Sequence, residues 1–434
     1  MPLLGKYWRT LWIVFSLAMA LPVYAGQSLA VLIEKAINQH PSIAAAEANI
    51  ASSSAQVETA KWQFYPTVSV TFETGFNGQT ENQTGDDSLA QLNVNQPLWD
   101  WGALGAGVDI AETQLAMDHT QLREKQWQLA ESVIESYGKW LSSYLRMRAW
   151  QKSLDDHELL AEQVKKRVLQ GVSAPIDLAL AEGRVETTEA EYIASQDAVF
   201  MAVQELSQLI SEDVINVDLI ESISSPLENV PENSLILALT TSPKVKLAED
   251  EVRLARHQLT AQVAQLKPDV YLRAEYRMHD ISSSANSQRA KIFVGMNGSS
   301  GAGLSLFSQR QSAEADLQAK QASLLAAQQS IEKNLDSMII NVDSIQRRLK
   351  SLESAMLTNE AVADSYERQF LAGRKSWLEV MNAAREEVQM LVQIADLRAA
   401  YLVSSWRRAL YIEGLNAVTP KLTSSSLDMT SQGE

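Results

Sequence analysis

Tyr65-Pro66-Thr67-Val68-Ser69-Val70-Thr71-Phe72-Glu73 decides the fold, because the chain says it twice. Val68, Val70 and Phe72 alternate with Ser69, Thr71 and Glu73, giving one apolar and one polar face at period two, the pattern of a half-buried strand. Lys267-Pro268 stands 202 residues after Tyr65-Pro66 and opens the same pattern. There Val270, Leu272, Ala274, Tyr276 and Met278 alternate with Tyr271, Arg273, Glu275 and Arg277. The offset of 202 also relates His40-Pro41 and Glu47 to Ser242-Pro243 and Glu249, and Gly171 and Asp177 to Gly373 and Glu379. One offset held across separated landmarks marks an internal duplication. Between the second and third landmarks the register drifts: Leu98-Trp99 best matches Leu306-Phe307 at an offset of 208. That predicts a longer second hairpin and a shorter helix after it.

Working outward, both halves follow one grammar. An alanine-rich helix comes first, about 28–63 and 233–266, ending before Pro66 or Pro268. Two strands follow, joined by polar loops at Asn77 to Ser88 and His279 to Arg289. Then comes a long helix, about 100–170 and 308–371. In the second one Leu317, Leu324, Ile331, Met338, Ile345 and Leu352 recur every seven residues, and Leu335, Val342, Leu349, Met356 and Ala363 form a row offset by four. This is a sustained coiled-coil seam. In the first, Val133, Tyr137, Trp140, Tyr144 and Met147 step by four and three. Such helices are roughly 100 Å long at ~1.5 Å per residue. Glycine turns close them at Gly171 to Pro175 and Ala372 to Ser376, and return helices run over about 175–210 and 376–415. The organisation is therefore a first repeat over 26–210, an irregular Pro/Ser/Asn segment over 211–232, a second repeat over 233–415, and a Ser/Thr-rich tail over 416–434.

Residues 1–25 read as a secretory signal: Lys6 and Arg9, then the apolar run Leu11 to Leu21, then Val23 and Ala25 at the −3 and −1 positions. An uncleaved anchor is the alternative, but the run is short of the ~20 residues a span needs. Removing Lys6 and Arg9 takes the net charge from −16 to −18 (−16 minus 2). That acidity argues against nucleic acid as a partner. The 434 residues contain no cysteine, which excludes disulfides, thiolate metal sites and an N-terminal lipid anchor. No later stretch resembles a membrane-spanning helix.

The expected fold class is mainly α with membrane β. Four strands cannot close a barrel, and an open sheet edge in lipid leaves backbone groups unsatisfied. Three chains give twelve strands and a lumen. The polar strand faces would line water and the apolar faces would meet outer-membrane lipid. Phe64, Tyr65, Trp99 and Trp101 fall near strand ends, where interfacial aromatic belts occur; packing in a core is the other reading of each. The coiled-coil helices would continue the barrel as a periplasmic tunnel. Heptads alone also suit a solid bundle or a soluble periplasmic scaffold.

These features resemble the TolC family of outer-membrane efflux and secretion channels. The likeness runs from about Ser28 to Leu415. It rests on the two-repeat plan, the helix-to-strand prolines, the junction Pro97-Leu98-Trp99-Asp100-Trp101-Gly102, and the two helical tips. The first tip reads Gly171-Val172-Ser173-Ala174-Pro175-Ile176-Asp177 and the second Gly373-Arg374-Lys375-Ser376-Trp377-Leu378-Glu379-Val380-Met381-Asn382-Ala383. The resemblance implies a homotrimer acting as a passive conduit, with a periplasmic membrane-fusion adaptor and an inner-membrane ABC exporter or proton-driven pump. It places adaptor docking at Gly171, Val172, Ala174, Pro175, Asp177, Gly373, Arg374 and Ser376. It places a periplasmic constriction at Glu379 and Asn382, with Arg374 and Lys375 helping to hold the closed state. Asn382 departs from the family's second acidic position, so a doubly charged ring is not implied. The junction Gly301-Ala302-Gly303-Leu304-Ser305 resembles members paired with ABC exporters of adhesins or toxins, which favours type I protein secretion over small-molecule efflux.

Nothing calls for catalysis, a cofactor or a metal. His40, His119, His157, His257 and His279 form no pair at metal-ligand spacing, and HExxH, Walker and GxSxG motifs are absent. Each histidine reads as a surface or cap residue.

Overall fold

A computed structural model describes residues 28–76, 86–213, 225–227, 229–279, 287–299 and 301–419. The signal segment over 1–25, most of both polar strand loops, most of the inter-repeat segment and the tail from 420 lie outside the described residues.

The elements run α1 (Leu29–Gln39), α2 (Pro41–Trp62), β1 (Thr67–Phe76), β2 (Asp86–Trp99), α3 (Ala103–Leu169), α4 (Pro175–Ile210), α5 (Ser234–Thr241), α6 (Pro243–Gln265), β3 (Asp269–His279), β4 (Ser287–Asn297), α7 (Ser305–Leu371), α8 (Trp377–Glu413) and α9 (Leu415–Val418). The duplication is stricter than the drift at Leu98-Trp99 suggests. α3 and α7 are both 67 residues long, and Ser305 follows Ala103 by 202. The expected longer second hairpin and shorter helix are therefore wrong. β4 ends at Asn297 and a 3-10 turn at Ala302–Leu304 fills the space before α7, whereas β2 runs to Trp99 and α3 starts after a short turn. The local match of Leu98-Trp99 to Leu306-Phe307 pairs a strand end with a helix start.

The single first helix of each repeat is also corrected to two. Pro41 and Pro243 each occupy the first turn of a new helix. A proline there has no N–H to offer the preceding turn and forces its predecessor out of the helical region, so the chain must break. The break is capped: the His40 ring nitrogen accepts from Ser42 N–H at 3.2 Å, and Ser242 Oγ accepts from Val245 N–H at 3.5 Å.

Contacts divide the chain into two compact units. One holds residues 28–35 and 135–213 of the first repeat and 352–399 of the second, with the helical tips. Its interior contains Val133's successors along the seam, Tyr137 and Trp140, both 1 % exposed, with Tyr144 stacked on Trp140 at 5.4 Å. The other holds residues 36–134, 225–351 and 400–419, with the sheet; there Ala238 and Val245 pack with Ile331, Leu335 and Ile412. Both heptad rows of α7 are buried or half-buried throughout, as a coiled-coil seam requires. No helix among the described residues is long and apolar enough to cross a membrane.

The four strands form one antiparallel sheet in the order β1-β2-β3-β4, so the hairpins of the two repeats lie side by side. Pro97 in β2 sits at a bulge where the pairing with β3 slips between Pro97 and Trp99, a position that spares the ladder its missing donor.

Candidate functional site

Two surfaces are candidates for function: the faces of the sheet and the tips of the helical hairpins. Register fixes the sheet faces. Val68 pairs with Val94, Val70 with Leu92 and Phe72 with Ala90. Leu92 pairs with Tyr276 and Val94 with Ala274, and Leu272, Ala274 and Tyr276 pair with Val294, Ile292 and Ala290. This is a continuous apolar face, and it is uncovered: Val70 is 76 % exposed, Ile292 75 % and Val294 72 %. Such a face on a water-soluble fold would be an aggregation hazard; in lipid it is the stable arrangement. The outer edges of β1 and β4 have no strand partner among the described residues.

Aromatics gather where strands meet helices. Trp62, Phe64, Tyr65, Trp99 and Trp101 are all exposed, so they are not core residues. The Trp101 indole N–H donates to the Pro268 carbonyl at 2.9 Å, and Lys267 Nζ lies 4.8 Å over the Trp101 ring. This joins the strand-to-helix turn of the first repeat to the helix-to-strand turn of the second. Amphipathic rings with a satisfied polar atom suit a membrane–water boundary.

The tips repeat each other in their turn hydrogen bonds. Gly171 N–H donates to Val168 O at 2.9 Å and Val172 N–H to Arg167 O at 2.9 Å; Gly373 N–H donates to Phe370 O at 2.9 Å and Arg374 N–H to Gln369 O at 2.8 Å. Both glycines have positive φ, 74° and 71°. That is the glycine-terminated helix end in which two orphan carbonyls are recovered, and it is why glycine stands at both positions. The next helices start at once. Asp177 accepts from Ala174 N–H at 3.2 Å. Glu379 accepts from Ser376 N–H at 3.1 Å and from Ser376 Oγ–H at 3.0 Å, and takes Lys375 Nζ at 2.6 Å. Lys375, with these bonds of the Ser376 hydroxyl and amide, holds the Glu379 carboxyl down to about 2.

Among the sequence-selected residues, Val172, Ala174, Pro175, Gly373, Arg374 and Ser376 are exposed on the turns. Glu379 and Asn382 share one exposed helix face, opposite the buried Trp377, Val380 and Met381. Asn382 accepts from Arg385 at 3.2 Å. Lys375 lies 4.1 Å over the Tyr366 ring of α7 while bonding Glu379 of α8, so it ties the two arms of its own hairpin.

Sequence reasoning missed two residues. Arg167 donates to the last carbonyls of α7, Phe370 at 3.2 Å and Leu371 at 3.3 Å, and lies 4.8 Å over the Phe370 ring. It is the clamp between the tips, which share a core of Leu160, Val164, Ala181, Phe370, Trp377 and Met381. A cation four residues before the turn glycine was the available signal, since helix C-terminal carbonyls attract cations. His157 is not a surface or cap residue but 5 % exposed; one ring nitrogen meets Thr188 Oγ1 at 2.8 Å and Nε2 has no partner. It lines a cavity of about 240 Å³ with Trp150, Arg184, Trp377 and Arg385. Burial, then Arg184, pushes its pKa below the ordinary 6.5. Its spacing from Ser153, Leu160 and Val164 places it on the inward seam. Among the described residues no three His, Asp or Glu side chains converge as a metal site would require.

Solved structures share this fold. CusC matches with a TM-score of 0.76 at 17 % identity, covering 90 % of this chain and 92 % of its own. The outer membrane protein VceC of Vibrio cholerae matches with a TM-score of 0.74 at 19 % identity, covering 90 % and 95 %. The outer-membrane channel OprN matches with a TM-score of 0.76 at 17 % identity, covering 90 % of each chain. No match was found among curated protein sequences. The family model for outer membrane efflux proteins matches residues 32–212 and 235–407, one segment per repeat. The chain is a member of the outer membrane efflux protein family, whose channels are passive conduits and not enzymes.

Proposed function

We propose that three copies of this chain close one twelve-stranded barrel in the outer membrane and continue it as a helical tunnel in the periplasm, exporting cargo handed over by an inner-membrane transporter and a periplasmic adaptor. One observation carries this: a four-stranded sheet with an uncovered apolar face and two open edges. Lipid accepts the face but not the edges, so β1 of one copy must meet β4 of the next. The segment over 1–25 supplies export as a cleaved signal.

The turns at Gly171, Val172, Ala174, Pro175 and Asp177, and at Gly373, Arg374 and Ser376, form the adaptor-docking surface. They present backbone and apolar side chains, with Val172 60 % exposed. Glu379, Asn382 and Lys375 form the constriction at the tunnel mouth. Glu379 stays ionised through the physiological range, so three copies make an acidic ring that favours cations. Opening is a shift between two arrangements of the hairpins biased by the adaptor. For cargo, the Gly301-to-Ser305 junction, with Gly301, Gly303 and Leu304 all at positive φ, favours type I protein secretion from an ABC exporter. Small-molecule efflux with a proton-driven pump is the second reading.

The test is extraction from outer membranes in mild detergent followed by native mass measurement and planar-bilayer recording. A particle of three chains that conducts supports the duct; a water-soluble monomer ends it. Gene deletion that abolishes surface adhesin or toxin but leaves drug sensitivity unchanged supports secretion, and the reverse supports efflux.

A further inference from the structure

The polar face of the sheet is not uniform, and its cations lie wholly in the second repeat. Register lines up three successive rows: Thr71, Gln91, Arg277 and Arg289; Ser69, Asn93, Glu275 and Lys291; Thr67, Asn95, Arg273 and Phe293. In these rows β1 and β2 contribute only neutral amides and hydroxyls, while β3 and β4 contribute four cations and one carboxylate. The carboxylate is already committed. Glu275 is 7 % exposed, with Arg277 at 3.0 Å on one oxygen and Arg273 at 3.5 Å on the other. The arginines keep outward reach, since their side chains remain 43 % and 45 % exposed. Arg289 and Lys291 on β4 are exposed as well. The other acids on this face stand outside the three rows, Glu73 and then Asp87 towards the hairpin ends and Asp269 at the other end of β3.

Resting on the duct reading above, we infer that the barrel lumen carries a belt of Arg273, Arg277, Arg289 and Lys291 that binds carboxylate and phosphate groups of cargo on its way out, a sign opposite to that of the acidic ring at the tunnel mouth. Three copies bring twelve cations against three carboxylates around one ring. The rows span roughly 13 Å along the strands at ~3.3 Å per residue, comparable to the screening length of ~8–10 Å in salt, so the belt acts as one field within the wall. A low-dielectric wall concentrates that field in the water it encloses. The chain as a whole is acidic, at −16, so this local sign is opposite to the general one and is not a by-product of composition. The ligand chemistry is carboxylate or phosphate groups, presented singly or in a row along a passing molecule. Glu275 is the positioning residue: by holding both arginines it fixes their height and keeps them from folding onto the wall.

The experiment uses the purified full assembly in planar bilayers, with inositol hexakisphosphate added on the barrel side. The expected result is block of the current, at least tenfold weaker in Arg289→Gln/Lys291→Gln, which leaves the Glu275 pairs intact, and reduced by raised KCl. Arg289→Glu/Lys291→Glu should abolish block by the polyanion and introduce block by spermine. Conduction with no polyanion block, or block unchanged in both variants, overturns the belt alone. An assembly that never conducts overturns the duct reading and the belt with it.

Discussion

Asp177 and Glu379, 202 residues apart, do the same job: each carboxylate stands at the third residue of a return helix and accepts the N–H of the residue before that helix, Ala174 at 3.2 Å and Ser376 at 3.1 Å. The residue selected as the acidic gate is thus first a helix cap, and its duplicate in the other tip makes the same capping bond. The proposed gating role would be added to it by position, with three copies at one tunnel mouth.

Asp177→Ala should loosen the first tip by about 0.3–1.5 kcal/mol, the usual worth of one capping interaction. The check is amide hydrogen exchange over residues 171–180, expected to quicken while residues 130–145 stay protected. Unchanged exchange at the tip would show that the bond to Ala174 contributes nothing.

Glu379 should titrate near 2 in the folded protein, against 4.5 ordinarily. Its folded pKa is depressed, so its contribution is present above 4.5 and is lost as pH falls through about 2. The second tip therefore keeps its cap at pH 4. Carboxyl NMR titration reads this directly, and Lys375→Gln should move the midpoint up towards 4.5. A midpoint already at 4.5 in the unaltered chain would contradict the geometry.

Most of this was legible before the fold was known, for definite reasons. Val68, Val70 and Phe72 announce a strand because period two admits few other readings, and the turn glycines announce helix ends because only glycine enters left-handed backbone cheaply. The breaks at Pro41 and Pro243 were visible as residues but overridden by the alanine-rich composition around them, which favours one continuous helix. The junction before α7 was misplaced because Leu306-Phe307 imitates Leu98-Trp99 in letters while lying in a helix. His157 and Arg167 escaped because their roles depend on partners on other helices, Thr188 and Phe370, which pattern along one helix does not reveal.

His157 should make the tip unit pH-sensitive. Its folded pKa lies below the 6.5 of an ordinary histidine, so the folded state binds fewer protons; its stabilisation is complete above 6.5 and declines as pH falls below it. Arg184 on α4 and Arg385 on α8 oppose a second positive charge there, and Glu191 is the one acid lining the same cavity. Hydrogen-exchange protection factors over residues 150–191, corrected for the intrinsic pH dependence of exchange, should fall between pH 7.5 and 5.5 in the natural chain and much less in His157→Gln. Equal pH dependence in both would remove His157 from the account.

Val70→Lys places an ammonium on the uncovered apolar face and should cost about 2–4 kcal/mol if that face meets the middle of a bilayer. Ser69→Lys, one residue along on the polar face, should be tolerated. Recovery of folded protein from outer membranes separates them; equal recovery would mean that lipid does not touch Val70.

Cysteine cross-linking across the open strand edges tests the shared barrel most directly, and the chain's lack of native cysteine makes it clean. Paired cysteines are placed at Val68, Val70 or Phe72 of β1 and at Ile292, Val294 or Met296 of β4. Within one copy β2 and β3 separate these strands, by about 14 Å at ~4.7–4.9 Å per strand, well beyond the ~7 Å limit for a disulfide. The account predicts that oxidation of intact outer membranes yields covalent dimers and trimers for the pairs in register. Oxidation that leaves every pair monomeric, or links β1 to β4 within a single chain, would contradict it.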